Sequence, residues 1–279
     1  MCRLFGFRSV IHSQVHQSLV RADNALMLQS SSHPDGWGVA WYLEGVPHVL
    51  RSLNRAIDCK LFKKVSGMVR SETVLAHLRK ATVGSLEVVN THPFQYGPWT
   101  FAHNGNIKGF NSCRKSLLKH IDEPFRRHIL GETDSELIFF LVVSRLFRLC
   151  PELTDQNLNH LIQAVNEARE LIVREAGPLY PDDQGPPEEN FLTFIITNGS
   201  LMLAFQGGKS LYYSTYKKKC GDREHCPWLA EGCEHPVPEH GKVNHLIFSS
   251  EPLKGENVWL PMPFGSMLAM DEKFVLKWT

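Results

Sequence analysis

The chain has 279 residues, a formal net charge of +1 and 43% hydrophobic residues, enough for a sizeable core in one large domain or two small ones. Near-neutral charge excludes a globally basic nucleic-acid binder, and an ordinary apolar fraction with 21% charged residues excludes global disorder. No apolar run approaches the roughly 20 residues of a bilayer span, and no basic stretch with a following apolar one opens the chain as a signal peptide would.

Residues 3–9 (RLFGFRS) alternate apolar with polar or small types, which predicts a half-buried strand. Val15, Leu19, Ala22 and Leu26 fall at helical spacing over residues 15–28. Residues 37–43 and 46–50 predict a strand pair turning at Glu44-Gly45. Residues 73–78 and 99–103 predict two more short strands, each ending in a polar cluster, where sites are commonly built. Thr133 and Glu136 form an S/T-x-x-E capping box before the apolar run 137–143, predicting a helix apolar on most faces. A second helix over 158–174 has its apolar residues on one stripe. The Pro-, Gly- and acid-rich stretch 176–190 reads as a surface loop. Strands are then expected at 191–197, 201–205, 211–216, 246–249, 266–269 and 274–278. Strands, two buried helices and strands again predict sheets packed with helices outside.

The chemistry starts at Met1-Cys2. Initiator methionine is usually trimmed before a residue as small as cysteine, which leaves Cys2 with a free α-amine. That amine titrates near 8, about where a thiol also titrates, so one residue holds a nucleophile and its base. The bland alternative is a cysteine that merely precedes a strand. In LAHLRKATVG (75–84) a strand ends in Arg79 and Thr82, a planar fork for a carboxylate with a hydroxyl beside it, or else a surface salt bridge. In FAHNGNI (101–107), Asn-Gly after a strand is most simply a tight turn. The functional alternative is an oxyanion hole in which the Asn104 amide and the Gly105 N–H donate, each such donor contributing about 3–4 kcal/mol of transition-state stabilisation. In ETDSE (132–136), Asp134 falls at the first helical position, where its carboxylate either compensates the helix dipole or binds an ammonium group. Together these four features would recognise the amino-acid head of glutamine or another γ-glutamyl compound and attack its side-chain amide.

With these residues in place the chain resembles the class II glutamine amidotransferases of the N-terminal-nucleophile hydrolase family. The pieces that carry the resemblance are Met-Cys at the start, HPDGWGVAW (33–41), HLRKAT (77–82), NTHPF (90–94), AHNGNI (102–107) and TDSE (133–136). The ordered set is specific and spans roughly residues 1–145; the rest, with SSEPL at 249–253, resembles the stand-alone members more loosely. The resemblance implies an α+β fold, a four-layer αββα sandwich of two mainly antiparallel sheets, over a single domain (1–279) with surface loops near 176–190 and 217–241. It supports catalytic roles for Cys2, Asn104 and Gly105 and substrate-binding roles for Arg79, Thr82 and Asp134. Asp35 and Gly36 are expected to shape the sheet near the site, and His92 and His103 to pack around it without serving as acid or base. Lys80 and Val83 stand where the sugar-phosphate synthase branch usually has an aromatic residue and a histidine. The resemblance therefore points to stand-alone members such as the γ-glutamyl hydrolases of ergothioneine synthesis and glutathione breakdown.

The expected reaction is hydrolysis of a γ-glutamyl amide through a thioester on Cys2, with no cofactor. One alternative is a glutaminase subunit that supplies ammonia to a separate synthase or works with a peptidase subunit. Another is a catalytically idle binding protein. With 279 residues, a fused synthase domain is not expected. The expected partners are small molecules, with no nucleic acid and no membrane. Seven cysteines, odd in number and irregular in spacing, read as reduced thiols in the cytoplasm. Cys220, Cys226 and Cys233, with His225, His235, His240 and His245, lack the short C-x₂₋₄-C pairs of zinc modules. That region is expected to be a reduced, exposed loop or a flap over the substrate, with a zinc site as the alternative.

Overall fold

The computed structural model describes residues 2–185, 189–221, 223–238 and 240–279. Among them the first strands are β1 (Arg3–Gln14), β2 (Trp37–Leu43), β3 (Val46–Ser52), β4 (Arg70–Leu78), β5 (Phe94–Tyr96) and β6 (Trp99–Asn106). Later come β7 (Phe191–Thr197), β8 (Met202–Phe205), β9 (Tyr212–Ser214), β10 (His245–Ser249), β11 (Leu260–Pro261), β12 (Met267–Met270) and β13 (Leu276–Trp278). The helices are α1 (Leu26–Gln29), α2 (Lys60–Met68), α3 (Phe110–Lys119), α4 (Glu123–Arg126), α5 (Asp134–Leu149) and α6 (Leu158–Ala176).

The strands form two antiparallel sheets. One has seven strands in the order β11-β9-β10-β1-β4-β2-β3, the other six in the order β13-β12-β8-β7-β6-β5. Leu4, Ala40 and Leu75 of the first sheet meet Ala102, Ile195 and Leu268 of the second in a shared apolar layer. Gly6 makes that approach close, since a Cβ there would sit 3.1 Å from Ile195 Cδ1. Outside the second sheet, Phe101 stacks on Phe139 of α5 at 5.5 Å, and α3 and α6 complete the layer. Outside the first, Phe5, Trp37 and Phe62 of α2 pack together. The result is the α+β sandwich, with helices flanking paired sheets.

Several elements differ from expectation for physical reasons. β1 continues past Ser9 to Gln14, and residues 4–9 are buried throughout because both faces of the sheet are covered. The helix expected over 15–28 breaks into a π-helical turn (Gln17–Arg21) and α1, since Ala22 adopts an extended conformation. Asn24 is then tied across the chain, donating to Pro252 O at 2.8 Å and accepting from Lys254 N at 2.7 Å. Phe274 has φ +64°, so the last strand starts only at Leu276. Glu136 does not close the capping box: Thr133 accepts from Glu136 N, but the Glu136 carboxylate accepts from Leu130 N and Gly131 N.

Two registers position the site. β1 pairs with β4 so that Arg3 faces Leu78, which sets Cys2 beside the chain leaving β4 at Arg79. β6 runs three residues further than expected, so Asn104 and Gly105 lie within the sheet opposite Thr193 and Leu192 rather than in a turn after it.

Candidate active site

Cys2 lies where β1 begins. Its Sγ donates to Lys80 O at 3.5 Å and accepts from Lys80 N at 3.4 Å. Burial pushes the thiol pKa up; the Lys80 backbone and the Arg79 cation oppose that, and the Asp134 anion adds to it. Cys2, Arg79 and Asp134 therefore share one electrostatic neighbourhood.

The segment that carries Arg79 is built by Asp35 and Gly36. Arg79 N donates to Gly36 O at 2.8 Å, Arg79 O accepts from Asp35 N at 3.2 Å, and Asp35 Oδ2 accepts from Ala81 N at 2.8 Å. Gly36 has φ +121°, and a Cβ there would meet Ser52 O at 2.6 Å, so glycine is required. Arg79 is 3% exposed, and its guanidinium clasps the following turn, with both terminal nitrogens 3.1 Å from Ser85 O and Nη2 3.3 Å from Val83 O and Gly84 O. Thr82 and Val83 line a groove of about 410 Å³ with residues 106–112.

Gly105 is confined: a Cβ would lie 2.0 Å from Phe191 O and 2.5 Å from His103 Nε2. Asn104 is 3% exposed, and its Oδ1 is buried without a hydrogen-bond partner among the described residues. It lines a cavity of about 210 Å³ with Arg3, Asp183 and Tyr212. Asp134 is buried at the start of α5, where Oδ2 accepts from Ile107 N at 2.7 Å and Oδ1 from Ser135 N at 2.8 Å. A carboxylate thus pins the chain just beyond the Asn-Gly pair.

Buried histidines fill the space behind. His103 Nε2 donates to Phe191 O at 3.1 Å, which leaves Nδ1 to accept from Ser135 Oγ at 2.9 Å. His77 meets His103 O through Nε2 at 3.2 Å and packs on His92 at a ring separation of 4.1 Å. Desolvation drives the pKa of all three down, that of His77 to about 3, so they are neutral packing groups at pH 7.

The structure brings Cys2, Arg79 and Asp134 into one neighbourhood and puts Asn104 on a cavity shared with Arg3; Thr82 opens instead onto the separate groove. Sequence reasoning missed Ser135, Arg3, Asn90 and the 177–185 segment. Asn90 was legible within NTHPF: it donates to Ser85 O at 3.1 Å and accepts from Glu132 N at 2.9 Å, joining the Arg79 turn to the start of α5. Asp183 carried no signal. Its surface loop borders the cavity beside Asn104 and is docked where Asn106 donates to Glu189 O at 2.9 Å and Lys108 N to Asn190 Oδ1 at 2.7 Å.

The Cys/His-rich segment packs at the other end of β1. Cys220, Cys226 and Cys233 line a cavity of about 500 Å³ with residues 10–14, so this part of the chain does not cover Cys2. Cys220 and Cys233 are buried rather than exposed, and all seven cysteines are unpaired. Among the described residues no three His, Cys, Asp or Glu side chains gather to hold a metal, and no helix is long and apolar enough to cross a membrane.

Residues 1–277 match the family described as class-II glutamine amidotransferases. A probable glutamine amidotransferase of Saccharomyces cerevisiae, DUG3, is 26% identical over 99% of this chain and 83% of its own length. The γ-glutamyl-hercynylcysteine sulfoxide hydrolase of Mycobacterium tuberculosis is 42% identical over 74 residues, 26% of this chain and 32% of its own. Among solved structures, a glutamine aminotransferase class-II domain protein from Silicibacter pomeroyi superposes with a TM-score of 0.62 at 20% identity, covering 100% of this chain and 98% of the other.

Proposed function

We propose that this chain, which belongs to the class-II glutamine amidotransferases, hydrolyses the side-chain amide of glutamine or a small γ-glutamyl amide or peptide through a thioester on Cys2. The observation that carries this reading is the placement of the Cys2 thiol against the Lys80 backbone, with Arg79 and Asp134 as its charged neighbours.

Removal of Met1, which lies outside the described residues, frees the Cys2 α-amine. The amine takes the thiol proton, directly or through water, and the sulfur lone pair attacks the γ-carbonyl carbon as the carbonyl electrons move onto oxygen. Asn104 and the Gly105 N–H donate to that oxyanion. On collapse the C–N bond breaks and the leaving nitrogen takes the proton from the Cys2 ammonium. Water then cleaves the thioester to glutamate and restores the thiol. Arg79 exchanges some of its bonds to the 83–85 carbonyls for the substrate α-carboxylate, and Asp134 uses its remaining lone pairs for the α-ammonium group.

The match over 26% of this chain to a mycobacterial γ-glutamyl-hercynylcysteine sulfoxide hydrolase supports a γ-glutamyl substrate. Seven unpaired thiols fit a reducing compartment, the cytoplasm. The test is glutamate release from a panel of γ-glutamyl compounds. Release by the wild type and its loss in Cys2→Ala is the expected result; wild-type release by Cys2→Ala would sink the proposal. Ammonia-coupled activity that needs a second protein would favour the glutaminase-subunit alternative.

A further inference from the structure

We infer that the leaving group of the cleaved amide bears a carboxylate, which Arg3 binds in the polar cavity beside Asn104; this rests on the γ-glutamyl amidohydrolase reading above. Arg3, Asn104, Asp183, Ser210, Tyr212 and Glu251 line that cavity, whose volume is about 210 Å³. Two polar atoms of its lining residues are buried with no partner among the described residues: Arg3 Nε and Asn104 Oδ1. What else holds the Arg3 guanidinium is long, 3.4 Å to Cys2 O and 3.5 Å to Glu251 Oε2. A part-buried guanidinium this loosely held is suited to a planar anion, because an under-paired buried charge is costly. Five N–H donors allow it to keep Glu251 and hold a ligand carboxylate as well.

The neighbouring charges are already committed. Lys209 Nζ donates to Asp183 O at 2.7 Å and lies over the Phe191 ring, while the Asp183 carboxylate accepts the Ser210 hydroxyl at 2.5 Å. Anion recognition on this wall therefore falls to Arg3. The amino-acid head has its own binding groups in Arg79 and Asp134, and Thr82 faces a different groove, so the cavity is left for what lies beyond the scissile nitrogen. The Arg3 guanidinium lies 3.4 Å from Cys2 O, which sets it within reach of a carboxylate only a few bonds from that nitrogen, as in an α-amino acid. The substrate class is γ-glutamyl amino acids and short γ-glutamyl peptides; ammonia, the leaving group of glutamine, would use none of these contacts.

The experiment compares kcat/KM for γ-glutamylglycine, γ-glutamylglycinamide and glutamine. The wild type is expected to prefer the free acid over its amide by roughly 10- to 100-fold, the range of a charge-assisted hydrogen-bond pair. Arg3→Gln should bring that ratio near one, and Arg3→Lys should keep part of it. Equal cleavage of acid and amide by the wild type overturns the inference and leaves the hydrolase reading standing. So does a preference undiminished in a folded Arg3→Gln protein, folding being checked by its thermal melt. Glutamate release from none of the three compounds overturns the hydrolase reading itself.

Discussion

Replacing Asp134 with Asn keeps the shape of the side chain and removes its charge and one acceptor. Asp134 is 2% exposed, and its two oxygens accept from Ile107 N and Ser135 N at 2.7 and 2.8 Å. In Asp134→Asn, whichever way the amide is turned, one of those buried N–H groups faces an NH₂. A hydrogen bond to a buried charge contributes about 1.5–3 kcal/mol, so a loss of about 2–3 kcal/mol in unfolding free energy is expected. The bond to Ile107 also fixes the chain just past Asn104 and Gly105, and the proposed substrate ammonium loses its anionic partner. Removing one member of a buried charge pair costs about 2–5 kcal/mol, which puts kcat/KM down by roughly 10²- to 10³-fold. Urea denaturation followed by circular dichroism reads the first quantity and glutamate release the second. A variant with the wild-type urea midpoint and wild-type kcat/KM would refute both the anchoring and the binding role.

Gly105→Ala should lower kcat by roughly 10²- to 10³-fold and stability by about 1–3 kcal/mol, since β6 must shift to clear Phe191 O; wild-type turnover in a crystal with an unmoved strand would contradict this. Tyr42→Phe should lower stability by about 1–3 kcal/mol in urea titration, because the Tyr42 hydroxyl of one sheet joins Pro98 O, Thr197 O and Thr100 Oγ1 around the other. His77 and His245 titrate at about 3, and His92 and His103 also below the ordinary 6.5. The unfolded chain therefore takes up more protons than the folded one between those values. Stability is lost as the pH falls through the ordinary 6.5, by about 1 kcal/mol for each of His77 and His245 between pH 7 and 5.5. A urea midpoint unchanged or raised at pH 5.5 would exclude this burial.

Much of the site was legible because its residues cluster in short stretches at strand and helix ends. Thr133 reads as a cap from its spacing to Glu136, and the cap bond is present at 3.2 Å. The partner of the Glu136 carboxylate was not legible, since Leu130 and Gly131 reach it through a loop whose path depends on tertiary packing. α2 and α3 went unread because lysine, serine and arginine dominate them, and each meets the core through only a few residues such as Phe62, Phe110 and Leu117. Asn104-Gly105 carries turn chemistry in sequence, but pairing with Thr193 and Leu192, almost ninety residues away, keeps it in a strand. The contribution of Asp183 depends on the same kind of long-range packing.

The central claim is that Cys2, freed of Met1, carries the γ-glutamyl group during turnover. Acid quenching of the protein in the presence of excess γ-glutamylglycine, followed by digestion and mass spectrometry of the N-terminal peptide, tests it most directly. The expected product is a peptide that begins at Cys2, gains one γ-glutamyl group and loses it to hydroxylamine, with no adduct in Cys2→Ala. Full glutamate release from protein that retains Met1, or an adduct on another cysteine, would contradict it.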